Sequence, residues 1–279
     1  MINIPDNYDA LLKLFKTLDI PTDEIGFYNH RSFIRAERRN VSFIEHYAAF
    51  VRLRSREASY DDHVRKTVPI VAKILAEEIL SDGQLGACVD AAQMLNKILE
   101  ELGIWSYSIQ GAIKIDAPEL PNSTHFWLFD EKPMPGHVWV VAPPYEIIDV
   151  TLNAQPYSRN EAELLPQFLI SEGGKRVEPN ALDFTEPTML AMQHKMLGGS
   201  LKSVHKRTNS GMMSAVNFFP SWELKEGSTL LRYATGGVSL SDAPNLAAIK
   251  NRTWNGRYAV AVLNDLILPA LEAETHKEN

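Results

Sequence analysis

The stretch "GACVDAAQMLNKILEELGIWSYSIQGAIKI", residues 86–115, decides the architecture because its hydrophobic period changes partway along. Over residues 88–102, Val89, Ala92, Leu95, Ile98, Leu99 and Leu102 form one stripe of a 3.6-residue period, which predicts an amphipathic helix. Gly103 follows in the position that commonly ends a helix. From Ile104 the residues read as strand, and the signal returns in "THFWLFD" (124–130), "HVWVVAP" (137–143) and "YEIIDVTL" (145–152). A helix followed by strands with short links, such as "EKPMPG" (131–136) and "APP" (142–144), predicts α+β: a Cys-bearing helix packed on an antiparallel sheet.

Upstream, residues 1–80 read as mostly helical. "PDNYDALLKLFKTL" (5–18) spaces Tyr8, Leu11, Leu12 and Phe15 on one face, with Asp6 as N-cap. "VSFIEHYAAFVRLRS" (41–55) and residues 59–80 supply two further amphipathic helices, Pro69 kinking the second or marking its first turn. Downstream, residues 159–170 and 185–197 read as helices, the latter with Pro187 in its first turn, and residues 173–180 read as a loop. Residues 230–240 suggest a hairpin around Gly236–Gly237, and residues 256–274 a last helix interrupted at Pro269. Residues 1–155 read as the helical N-terminal region and core, and residues 156–279 as a mixed C-terminal extension or a continuation of the same domain, with no linker-like composition between them.

The composition is that of a globular protein: 279 residues, 45% hydrophobic and 23% charged, with a formal net charge of −7. An acidic balance argues against a general nucleic-acid binder, which needs clustered Lys and Arg to neutralise phosphates. A single cysteine excludes an intrachain disulfide framework and a multi-thiolate zinc cluster. No secretory signal opens the chain, and no apolar run approaches the roughly 20 residues of a membrane-spanning helix. The expectation is a cytoplasmic protein without membrane association, although a substrate of a signal-less export system has the same features.

The lone cysteine raises the question of chemistry. Free cysteine usually behaves as a small buried hydrophobe. Cys88, however, follows Gly83 and Gly86 and opens a helix, where unsatisfied N–H groups and the macrodipole favour a thiolate. The same N–H groups suit a developing oxyanion. A thiolate enzyme needs a base, and the base an orienting group. His137 and Asp149 lie in successive strand patterns around Pro143–Pro144. A two-residue hairpin turn requires positive φ at one or both central residues, which proline cannot adopt, so the Pro–Pro pair disfavours one. An odd loop centred on Pro143 instead pairs Val141 with Tyr145, Trp139 with Ile147 and His137 with Asp149, putting imidazole and carboxylate within reach. The structural alternatives are a strand-edge histidine bonded to backbone and an aspartate serving as a turn or cap near Thr151.

The order of a helix-start cysteine, "HVW" opening one strand and "IIDVT" on the next resembles the transglutaminase-like branch of the papain-fold thiol enzymes, over about residues 75–155. The resemblance implies a papain-like core, Cys88 as nucleophile, His137 as general base and acid, and Asp149 as its orienter. It implies an amide or related acyl bond of a protein or peptide as substrate, with hydrolysis, deamidation or acyl transfer as outcomes and no cofactor. Two departures stand out: Val89 replaces the aromatic residue that often follows the cysteine, and the "THFWLFDEKPMPG" insertion brings a second His-x-Trp element. His125 is thereby a rival base. Gln84, four residues before Cys88, is a candidate oxyanion donor or a solvated loop residue.

Two other function classes compete. One is a non-catalytic binding module that retains the fold and a buried thiol. The other is a metal-dependent enzyme using His125, His137 and Asp149, although no tight ligand pair such as H-x-H supports it. Lys195, Lys202, Lys206 and Arg207 concentrate positive charge in what reads as a solvated loop. Neither Gly198–Gly199 nor Gly236–Gly237 fits a phosphate-binding loop.

Overall fold

A computed structural model describes residues 4–130, 136–200, 203 and 212–278. The chain begins with helices α1 (Tyr8–Thr17), α2 (Arg31–Arg39), α3 (Ile44–Leu53) and α4 (Ala58–Asp82). The side chain that caps α1 is Asn7, which accepts from the Ala10 amide, rather than Asp6; Asp6 lies one residue too far out. Pro69 neither ends α4 nor sits in its first turn, and the 25-residue helix continues through it. Helix α5 (Cys88–Glu101) follows, and Gly103, with φ +76°, turns the chain out of it.

The sheet is built from β1 (Tyr107–Asp116), β2 (Thr124–Phe126), β3 (His137–Ala142), β4 (Tyr145–Asp149), β5 (Leu169–Ser171) and β6 (Lys175–Val177). Helices α6 (Ala181–Phe184), α7 (Pro187–Leu197) and α8 (Met212–Phe218) intervene before β7 (Ser221–Glu226) and β8 (Thr229–Ser239). All pairings are antiparallel, in the order β5-β4-β3-β1-β8-β7-β6. The protein is therefore α+β, and strands from both sides of residue 155 share one sheet. Strand β2 lies along the same edge of β1 as β3: Phe126 is level with Ile113 and His137 with Gly111.

Both faces of the sheet are covered. On one, Trp139, Val141 and Ile147 pack with Phe15, Phe27, Phe33 and Phe50 of the N-terminal helical region. On the other, Val138, Val140, Ile148 and Val150 pack with α4, α5 and the C-terminal helical stretch. All six residues of β3 are buried, which explains its near-continuous hydrophobic run.

Several C-terminal expectations are corrected. Residues 230–240 make no hairpin; β8 continues through Gly236–Gly237, and an irregularity at Gln110/Gly111 of β1 absorbs the unmatched residue. Residues 159–170 form a short 3-10 turn, Glu161–Leu164, and then β5, and the expected loop at 173–180 contains β6. Pro187 does begin α7. The last helix is disturbed before Pro269 by a π segment, Val262–Ile267, between Ala259–Ala261 and Leu268–Glu278. Among the described residues, no helix is long and apolar enough to cross a membrane. Of the basic stretch, Lys195 is exposed on α7, whereas Lys202, Lys206 and Arg207 lie outside the described residues.

Candidate active site

Cys88 is the first residue of α5. The glycine before it has a structural cause: Gly86 has φ +74°, and its N–H donates to Ala154 O at 2.9 Å, tying the approach loop to the segment after β4. No side chain caps the helix, and its first intrahelical bond runs from Ala91 N–H to Ala87 O. The amides of Cys88, Val89 and Asp90 therefore have no acceptor within the helix.

His137 opens β3 immediately after Gly136, whose φ is +84°. Together with Cys88 it lines a cleft of about 150 Å³, walled also by Val89, Phe126, Pro156 and Arg252. Cys88 is half-buried, whereas His137 is 1% exposed. The imidazole Nε2 lies 2.6 Å from Asp149 Oδ2. Its other nitrogen, Nδ1, is buried and makes no hydrogen bond of ordinary geometry, while Cys88 is close enough to act on the ring through a looser side-chain hydrogen bond. Burial opposes the charged imidazolium. The Asp149 carboxylate outweighs this through its charge and hydrogen bond, Cys88 adds in the same direction, and the ring is pushed up from 6.5 to about 10.

Histidine and aspartate meet by a different register from the one expected. Ala142 is level with Tyr145 across a two-residue turn containing a cis Pro143–Pro144 peptide. The positive-φ objection does not cover turns of that class. The next pair is Val140 with Ile148, so β4 carries one extra residue. One step further brings Trp139 level with Asp149, leaving His137 diagonal to Asp149 on the same face. The bulge restores the facing that a plain two-residue hairpin would have lost.

Asp149 is itself held on both oxygens. Oδ2 also accepts from the Tyr233 hydroxyl at 3.0 Å, while Oδ1 accepts from the Thr151 amide at 3.0 Å and the Thr151 hydroxyl at 3.2 Å. The Asp-x-Thr spacing thus adds a local turn to the histidine contact instead of replacing it.

Two candidates fall outside this arrangement. His125 stacks on Trp127, with ring centroids 4.6 Å apart, and is level with Lys114. Its neighbour Phe126 faces the cleft, so strand alternation turns His125 away from it. Burial and Lys114 lower its pKa. The separation also breaks the His125–His137–Asp149 metal set, and no potential metal-binding group of three such residues occurs among the described residues. Gln84 is exposed, and its Oε1 accepts from Arg252. The glutamines lining the cleft are instead Gln110 and Gln155, and the Gln155 side-chain amide donates to Thr151 O at 2.8 Å.

Tyr233, Gln110, Gln155 and Arg252 carry no local signal of a site. They come from β1, the segment after β4, β8 and a C-terminal loop, which only the tertiary fold gathers. Val89 was expected in the core stripe but is 44% exposed and forms a cleft wall. No protein-family model, curated protein or solved structure matches the chain.

Proposed function

We propose that the protein is a thiol enzyme with a papain-like, transglutaminase-like core that acts on an amide or related acyl bond of a protein or peptide. The observation that carries this reading is the division of labour at His137: Nε2 is committed to Asp149, while buried Nδ1 has no other partner in the cleft that Cys88 lines and Cys88 acts on the ring. That leaves one imidazole nitrogen for the thiol proton and another for an orienting carboxylate, as a nucleophile–base–orienter set requires.

In the proposed reaction the Cys88 proton passes to His137 Nδ1 and the sulfur attacks the carbonyl carbon. The oxygen takes the negative charge, next to the unbonded amides of the first turn of α5. The carbon–nitrogen bond then breaks, with the leaving amine taking the proton from Nδ1, and a thioester remains on Cys88. Water or a second amine attacks it, gives its proton to Nδ1 and releases the product as the thiolate is reprotonated.

Alkylation and turnover test the proposal. In the native full-length protein iodoacetamide should label Cys88 at neutral pH faster than it does after denaturation. Peptide mixtures should show cleavage, deamidation or amine incorporation by mass, and Cys88→Ala should abolish it. Labelling confined to denatured protein would overturn the reading.

A further inference from the structure

The geometry points to Tyr233 as a positioning residue that holds Asp149 for His137, which makes the C-terminal extension part of the reacting unit. This rests on the thiol-enzyme reading and adds a residue to it. Tyr233 is 0% exposed and its hydroxyl lies 3.0 Å from Asp149 Oδ2, the oxygen that also receives His137 Nε2. A carboxylate accepts only, so the hydroxyl donates. Two donors on one oxygen divide its charge and fix the direction of its lone pairs.

The ring reaches that contact across the two strands, β1 and β3, that separate β8 from β4. Tyr233 on β8 is level with Ile113 of β1, and β1 separates β8 from β3. Its ring meets Trp139 edge-on, with centroids 5.1 Å apart at 77°. The indole lies where a side chain on β1 would be: a Cβ at Gly111 would stand 2.7 Å from Trp139. The bare glycine thus lets Trp139 lie across β1 and brace Tyr233 beside Asp149. A tyrosine needed only to fill this space would not require its hydroxyl to meet the one oxygen shared with the histidine.

The charged and titratable groups around the pair come from several elements. Cys88 approaches from α5 and Tyr157 from the segment after β4, and Asp90 and Arg252 also line the cleft. Glu161 acts on Tyr157, and Glu226 on Tyr233 itself. Of these, Tyr233 is the group hydrogen-bonded to Asp149 Oδ2 opposite His137. Removing its hydroxyl leaves more of that oxygen's charge to the imidazolium, so the proton shared by the pair is held more tightly.

The test is Tyr233→Phe in the full-length protein, which keeps the ring and its packing. The His137 ring resonance, identified by its loss in His137→Gln, is titrated by NMR in wild type and variant. Its midpoint should rise by about one pH unit, the scale of a lost hydrogen bond to a charged group. At neutral pH, the Nε2-bound proton signal should move further downfield, a second reading for the case in which alkaline unfolding ends the titration. Turnover should fall in kcat with KM little changed. Unchanged His137 signals in a folded Tyr233→Phe protein would overturn the positioning role. Cys88 labelling separates the two levels: an unreactive native thiol in wild type defeats the thiol-enzyme reading, whereas a reactive thiol with unmoved His137 signals defeats only the Tyr233 proposal.

Discussion

His137 carries opposing influences that give its chemistry a definite pH sign. Its ring is buried, yet the Asp149 carboxylate overcomes burial and raises its folded-state pKa to about 10. A raised pKa means that the folded protein binds this proton more tightly than the unfolded chain does. The resulting stabilisation is fully present below the unfolded value of about 6.5 and is lost as pH rises toward the folded value. Thermal unfolding from pH 6 to 10 should therefore show a falling Tm for wild type and a shallower fall for Asp149→Asn, which lacks the attraction. The same substitution should cut turnover by roughly 10²–10⁴-fold, the range for a positioned acid–base function, and move the alkaline limb of the rate profile to lower pH. An unmoved alkaline limb would detach Asp149 from the histidine's role.

Two elements hold the site in shape: the start of α5 and the middle of β1. Asp90, in the first turn of α5, meets Arg252 Nε at 2.9 Å and Nη2 at 2.6 Å, and Asn251 at 3.1 Å. This pair offsets a negative charge beside Cys88 and ties the C-terminal loop to the nucleophile's helix. Arg252→Ala should slow Cys88 alkylation, and adding Asp90→Asn should recover much of the rate, a coupling measurable as a double-mutant cycle. In β1, a Cβ at Gly111 would stand 2.2 Å from the Ala234 carbonyl oxygen as well as against Trp139. Backbone cannot yield as a side-chain tip can, so Gly111→Ala should cost about 1–3 kcal/mol in chemical denaturation. It should also disturb the Trp139–Tyr233 contact, lowering activity in the protein that remains folded.

At the scale of the molecule, β1 joins the halves of the chain, with β3 on one side and β8 on the other. Ending the chain at residue 155 would strip β8 from β1, remove Tyr233 and Arg252, and expose the buried residues of the sheet. Such a chain should fail to fold, as judged by solubility and amide exchange. The segment between α1 and α2 is tied to α5 by a partly buried polar link. Lys97 of α5, 1% exposed, reaches Glu100 at 2.7 Å and lies 4.7 Å from the Tyr28 ring centroid, while the Tyr28 hydroxyl donates to Glu100 at 2.5 Å. Lys97→Ala leaves the partly buried Glu100 with the Tyr28 hydroxyl but without its cation, and should cost about 1–3 kcal/mol, the range for leaving a buried polar group short of a partner. A loss below about 1 kcal/mol in denaturant titration would assign the link a surface-like role.

The sequence by itself determined the α+β class, a helix beginning at Cys88 with its glycine stop, read one residue too long at 88–102, and the strands carrying His137 and Asp149. These are local properties: hydrophobic period, β-branched runs and glycine stops act over a few residues. It also singled out Cys88, His137 and Asp149, whose residue types and order limit the chemistry open to them. The tertiary structure decided the rest. It set the register around Pro143–Pro144, turned His125 away from the cleft, engaged Gln84 with Arg252, and brought Tyr233 to Asp149 across 84 residues of chain. A one-residue bulge or a distant strand pairing leaves little trace in local periodicity, because its energy lies in contacts between segments the periodicity treats separately.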